Sequence, residues 1–150
     1  MKTIANEELV VILEKHKKWL NKEFCGERAD LREANLSDAI IDYPIACPEK
    51  GSFIAFKKAN GYIIELLIPE DALRCSATSR KCRCSKAKVI SITNFNGTES
   101  GITSIPSDYD SSFVYTIGET VEEPDFNPNR WNECSKGIHF FITRQEAINY

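Results

Sequence analysis

Leu9, Ile12, Leu13, His16, Trp19 and Leu20 recur at three- and four-residue intervals, which predicts an amphipathic α-helix over Glu7 to Asn21. Asn6 stands where a capping side chain is expected, with Glu7 and Glu8 in the first turn and Lys15, Lys17 and Lys18 in later ones, as the helix dipole favours. His16 falls on the apolar stripe, and this position favours a packed, hydrogen-bonded ring over a catalytic one. From Ile45 the period shortens to that of strands. Ser52 to Lys57 and Tyr62 to Ile68 are rich in aromatic and β-branched residues, and Asn60-Gly61 between them specifies a two-residue hairpin turn. Further strands are expected at Lys88 to Thr93, Ile102 to Ile105, Phe113 to Ile117 and Gly137 to Ile142, with a turn at Asn96-Gly97. Pro69 followed by Glu70 and Asp71 reads as the first turn of a short helix. Thr143 with Glu146 forms the pattern of a capping box for a final helix to Tyr150. The fold class is α+β, with a largely antiparallel sheet and short helices.

Between helix and strands runs a five-residue beat: Ala29-Asp30-Leu31-Arg32-Glu33, Ala34-Asn35-Leu36-Ser37-Asp38 and a weaker Ala39-Ile40-Ile41-Asp42-Tyr43. Small and large apolar residues alternating at fixed offsets suit a square β-solenoid, and the pattern resembles the pentapeptide-repeat family. Three units fall short of one complete coil, so the stub must lean on its neighbours. The expected organisation is residues 1–44 as helix plus pentapeptide-repeat stub and residues 45–150 as an α+β domain.

With 150 residues, 42% hydrophobic and 27% charged, the chain is large enough for one full core. The apolar stretches are far short of a bilayer helix and the N-terminus lacks a signal peptide's apolar centre, so a cytoplasmic location is expected. In that compartment Cys25, Cys47, Cys75, Cys82, Cys84 and Cys134 are expected as free structural thiols. Zinc is disfavoured for Cys75, Cys82 and Cys84, because one residue between Cys82 and Cys84 is not the knuckle of a structural site. Neither metal nor cofactor is expected.

Charge changes the picture most. The formal net charge of −3 conceals a run without acids, Arg74, Arg80, Lys81, Arg83, Lys86 and Lys88, followed by Val89 to Asn129 without a single Lys or Arg. Cationic groups beside Ser76, Thr78 and Ser79 suit a phosphate, held by charge-assisted bonds and turn N–H donors. The expected ligand-binding set is Arg74, Arg80, Lys81 and Arg83 on phosphate, Ser76 and Ser79 as hydrogen-bond donors, and His139 shaping the pocket. Tyr62, Trp131, Phe140 and Phe141 offer stacking surface or core. Long nucleic acid is disfavoured by the negative total and the acidic section. Other chemistries lack their parts: His16 and His139 lie in no nucleophile motif, no Gly-rich phosphate loop is present, and Glu119, Glu122, Glu123 and Asp125 lack calcium-loop spacing.

The blocks Ile68-Pro69-Glu70-Asp71-Ala72, Arg80-Lys81-Cys82-Arg83 and Gly137-Ile138-His139-Phe140-Phe141-Ile142-Thr143, with Glu146-Ala147 and Tyr150, resemble a domain of unknown function found in phage and prophage pentapeptide-repeat proteins. The resemblance implies a genomic setting and an architecture, and no activity. Gly137-Ile138-His139-Phe140 with Ala147 and Tyr150 is also similar to a core strand and helix of ADP-ribosyltransferases. That similarity implies His139 against a nicotinamide dinucleotide and Lys57 or Lys58 approaching phosphate, although no catalytic glutamate can be matched.

The reading reached is a non-enzymatic, phage-type protein that captures a small phosphate-containing ligand, a nucleotide signal of host antiviral defence in its most specific form. Its alternatives are an ADP-ribosyltransferase-like enzyme and an interaction module that docks or oligomerises through the Trp19 helix and the stub.

Overall fold

The computed structural model describes residues 2–31, 34–35 and 44–150, arranged as two compact units, Met1–Tyr43 and Pro44–Tyr150. Most of the pentapeptide beat, residues 32–33 and 36–43, lies outside the described residues.

In the first unit, β1 (Lys2–Thr3) pairs in parallel with β2 (Ala34–Asn35), and α1 spans Asn6–Leu20. The helix begins one residue earlier than its apolar period indicates. Ala5 holds the cap position with extended backbone and no side-chain cap bond, so Asn6 is the first helical residue and not the cap. Leu9 is buried and Ile12, Leu13 and His16 are half-buried, whereas Trp19 and Leu20 are exposed. His16 is packed and bonded: its ring stacks on Trp19 at 5.5 Å and its Nδ1 accepts from the Ala29 N–H at 3.2 Å. The chain doubles back past the helix end at Gly26, where a Cβ would lie 2.3 Å from the Trp19 nitrogen, so no larger residue fits there.

The second unit is built from antiparallel pairs. β3 (Phe53–Ala59) and β4 (Tyr62–Ile68) form the expected hairpin, with Asn60 at φ 46° and Gly61 at φ 82° supplying the two left-handed residues that its turn demands. β7 (Lys86–Thr93) joins β4, and β10 (Thr120–Glu122) joins β7, giving the order β10-β7-β4-β3. A second sheet runs β11-β6-β5, from β5 (Arg74–Ser76), β6 (Cys82–Cys84) and β11 (Ile138–Phe140). Reciprocal 2.8 Å backbone bonds between Phe56 and Phe141 tie β3 to the chain leaving β11. β8 (Ser104–Pro106) and β9 (Val114–Thr116) make a short ribbon. Ala55, Ile64, Leu66, Ile68, Val89, Cys82, Cys84 and Phe140 fill the core at 0% exposure.

Two elements differ from expectation. Pro69 to Asp71 form a turn and not a helix: the Ala72 N–H reaches back to the Pro69 carbonyl at 3.1 Å and the chain then enters β5. The expected turn at Ser76-Ala77-Thr78-Ser79 lies largely in the loop between β5 and β6, which also carries Arg80 and Lys81, whereas Arg74 and Arg83 fall within those strands and Arg83 is buried. α2 (Arg144–Asn149) has the full capping box, Thr143 Oγ1 accepting from the Glu146 N–H and Glu146 accepting from the Thr143 N–H.

Candidate functional site

The arginines of the basic run act within the fold. The Arg74 guanidinium donates to the carbonyls of Pro48, Gly51, Pro69 and Glu70 and lies over the Phe53 ring, so it fastens two loops to β3. Arg83, 2% exposed, donates to the carbonyls of Asn127, Asn129 and Lys136 and pins the segment between β10 and β11. Arg80 is exposed and pairs with Glu146 at 2.7 Å, bracing the first turn of α2. Ser76 is buried, its Oγ accepting from the Ala46 N–H, and Ser79 donates to Glu133 at 2.7 Å. None of Arg74, Ser76, Ser79, Arg80 and Arg83 lines the cavities described next. The other two expected residues, Lys81 and His139, do.

A cavity of about 340 Å³ opens between β3, the loop joining β8 to β9, the segment before β11 and the end of α2. A smaller one of about 140 Å³ adjoins it, sharing Lys57, Tyr109, His139 and Tyr150, so the two form one cleft. Lysines 57, 81 and 136 face the larger cavity against the carboxylates of Asp110 and Glu123, while Tyr109, Phe113, Tyr115 and Tyr150 supply aromatic surface.

Lys57 is the unusual member. Strand alternation puts it on the buried face of β3 in phase with Ala55 and Ala59. It is 9% exposed, donates to the His139 carbonyl at 3.3 Å and sits 5.8 Å from the Tyr115 ring centre, with no ion pair among the described residues. Burial lowers its amine to about 8, with Asp108 opposing and Lys81 assisting the shift. Burial also holds His139 down at about 4, helped by Lys81 and Lys57, so the ring is neutral near pH 7. Its Nε2 lies 3.2 Å from the Glu133 carbonyl, which can only accept; the proton is therefore on Nε2, and Nδ1 is left as an acceptor. Lys81 donates to the Tyr150 hydroxyl at 2.7 Å, and Lys136 forms a 2.6 Å ion pair with Asp125. The lysines thus form a graded set, with Lys57 buried, Lys81 half-buried and Lys136 at the exposed rim.

All six cysteines are free, and Cys134 is exposed on the cleft wall. Burial pushes the Cys84 thiol up, whereas Cys47 is drawn down, first by its hydrogen bond with Cys82 and then by Arg74. Among the described residues no three His, Cys, Asp or Glu side chains converge on a metal-sized site, and no helix is long and apolar enough to cross a membrane.

Sequence reasoning alone left Tyr109, Lys136 and Cys134 out of the site. It reached Lys57 only through the ADP-ribosyltransferase similarity. The signal was present in the alternation Ala55, Lys57, Ala59, which commits a lysine to the inward face of a strand flanked by small residues.

No curated protein and no solved structure matches the chain. The model of the family described as "Family of unknown function (DUF5758)" matches residues 43–147, which takes in every element from β3 to the capping box of α2 and the cleft residues from Lys57 to His139. By that match the chain belongs to this family of unknown function.

Proposed function

We propose that the unit 44–150 is a binding domain that holds a small phosphate-containing ligand in the Lys57–Lys81–His139 cleft. The carrying observation is a buried lysine that lines both cavities and forms no ion pair among the described residues, Asp108 acting on it only at longer range, with Lys81 and Lys136 on the same larger cavity. Leaving a lysine so poorly paired costs stability, and an anionic ligand offsets that cost. The aromatic side chains of Tyr109, Phe113 and Tyr150 suit a nucleobase or sugar face beside the phosphate. Set with the phage and prophage resemblance and a host-cytoplasmic location, the reading becomes a sponge that sequesters a nucleotide signal of antiviral defence. Lys81 and His139 carry over from the expected ligand-binding set, while Arg83 supports the wall through the Lys136 carbonyl.

A thermal-shift screen of the full chain against inorganic phosphate and mono-, di- and cyclic nucleotides tests this. A bound ligand raises the melting temperature with concentration, less so at high salt, and less in Lys81→Ala. No shift with any phosphate compound removes the reading.

A second reading, transfer chemistry on a nicotinamide or ADP-ribose compound, is favoured by one observation: Lys57, Lys58 and His139 meet in the smaller cavity. Chromatography after incubation separates the two, because a sponge returns its nucleotide intact and an enzyme does not.

A further inference from the structure

Lys57 has the placement of a nucleophile as well as that of a cation. Its amine lies on the core face of β3, at the wall common to both cavities, and among the described residues it is held by one acceptor, the His139 carbonyl. An ammonium carries three N–H groups and the neutral amine two, so one bond to a carbonyl leaves the lone pair of the neutral form unengaged. Exposed lysines such as Lys50 and Lys88 lack such confinement. The groups facing Lys57 are Asp108 from the loop joining β8 to β9, Tyr115 on β9, Lys81 and Cys84 on the β6 side, and His139 on β11.

We propose that Lys57 captures a carbonyl compound covalently, as a reversible imine, when an aldehyde or ketone bearing an anionic group enters the cleft with its charge at Lys81 and Lys136 and its carbonyl at the floor. The lone pair of the neutral amine attacks the carbonyl carbon, forming the C–N bond, and a proton passes from nitrogen to oxygen to give the carbinolamine. Loss of that oxygen as water forms the C=N bond, and hydrolysis returns amine and carbonyl unchanged. No oxidant or reductant takes part.

Burial supports the chemistry. With its amine lowered to about 8, roughly a tenth of Lys57 is neutral at pH 7, against about one in three thousand for a solvated lysine. The inference needs the cleft to be a ligand site, as proposed above, but does not need the ligand to be a nucleotide.

The full chain is incubated with pyridoxal 5′-phosphate or with pyridoxal, reduced with borohydride, and mapped by peptide mass spectrometry. The expected result is a reduced adduct on Lys57 at least tenfold above Lys50 and Lys88, rising with pH through about 8 and absent at position 57 in Lys57→Arg. Circular dichroism of Lys57→Arg confirms that the variant is folded. Adducts spread over exposed lysines with Lys57 unmodified overturn the inference, and they do so even if phosphate raises the melting temperature. Equal modification of Lys57 by both aldehydes sustains the imine and instead counts against the phosphate reading.

Discussion

At the scale of single residues, the molecule divides its cations between holding the fold and facing the cleft. Arg83, itself buried, donates to three carbonyls, of which those of Lys136 and Asn129 also accept backbone N–H bonds from Asn127 and Asn132. Replacing it with Met removes three charge-assisted bonds at a buried position, so Arg83→Met is expected to lose about 3 kcal/mol in urea denaturation. Arg80→Ala, at an exposed pair, is expected to change stability by about 1 kcal/mol or less. Comparable losses for the two would dissolve the distinction. Lys57 behaves in the opposite sense. Its folded value of about 8 lies below its ordinary 10.5, so the unfolded chain binds a proton that the folded chain sheds between those values. Stability from this group therefore rises with pH across about 8 to 10.5, and the penalty is fully present below about 8. Lys57→Met is expected to be more stable than the parent by about 1–3 kcal/mol at pH 7, the advantage shrinking toward pH 10. An advantage that ignores pH, or a loss at pH 7, would show that the lysine is not under that strain.

At the scale of elements, the short α2 matters beyond its length. Its capping box fixes the first turn, Arg80 adds a 2.7 Å bond to the same Glu146, and Tyr150 beyond its last turn braces Lys81 at the cleft. Six residues cannot sustain a helix without such end contacts. Thr143→Ala is expected to cost about 1 kcal/mol in thermal or urea unfolding and to weaken whatever ligand the cleft holds. A stability loss with unchanged binding would detach α2 from the site. The hairpin β3–β4 is the other decisive element, because its register, Lys57 opposite Ile64, sets which β3 side chains point inward.

At the scale of the whole molecule, the unit Pro44–Tyr150 contains both sheets, the cleft and nearly all of the family match. A fragment of residues 44–150 is expected to unfold cooperatively, with protected amides in β4 and β7, the strands at the middle of the larger sheet, checked by calorimetry and hydrogen exchange. Gradual melting without protection would tie its folding to residues 1–43. The sequence by itself determined the parts whose causes are local. The α1 helix, the Asn60-Gly61 turn and the Thr143-Glu146 cap depend on residues within about four positions of one another, and each is present, although the helix's apolar stripe is exposed at Trp19 and Leu20. Missed local readings, the helix at Pro69 and the cap at Asn6, lost to the chain's need to enter β5 and to begin α1 a residue early. Only the tertiary structure decided where the cations go. Arg83 meets its carbonyls 44 to 53 residues away and Lys57 meets His139 across 82, separations at which charge and spacing along the chain carry no geometric information. Arg74 and Arg83 turned to backbone carbonyls of distant segments while Arg80 stayed exposed on Glu146, because a guanidinium loses its water at low cost only where carbonyls converge on its several N–H groups.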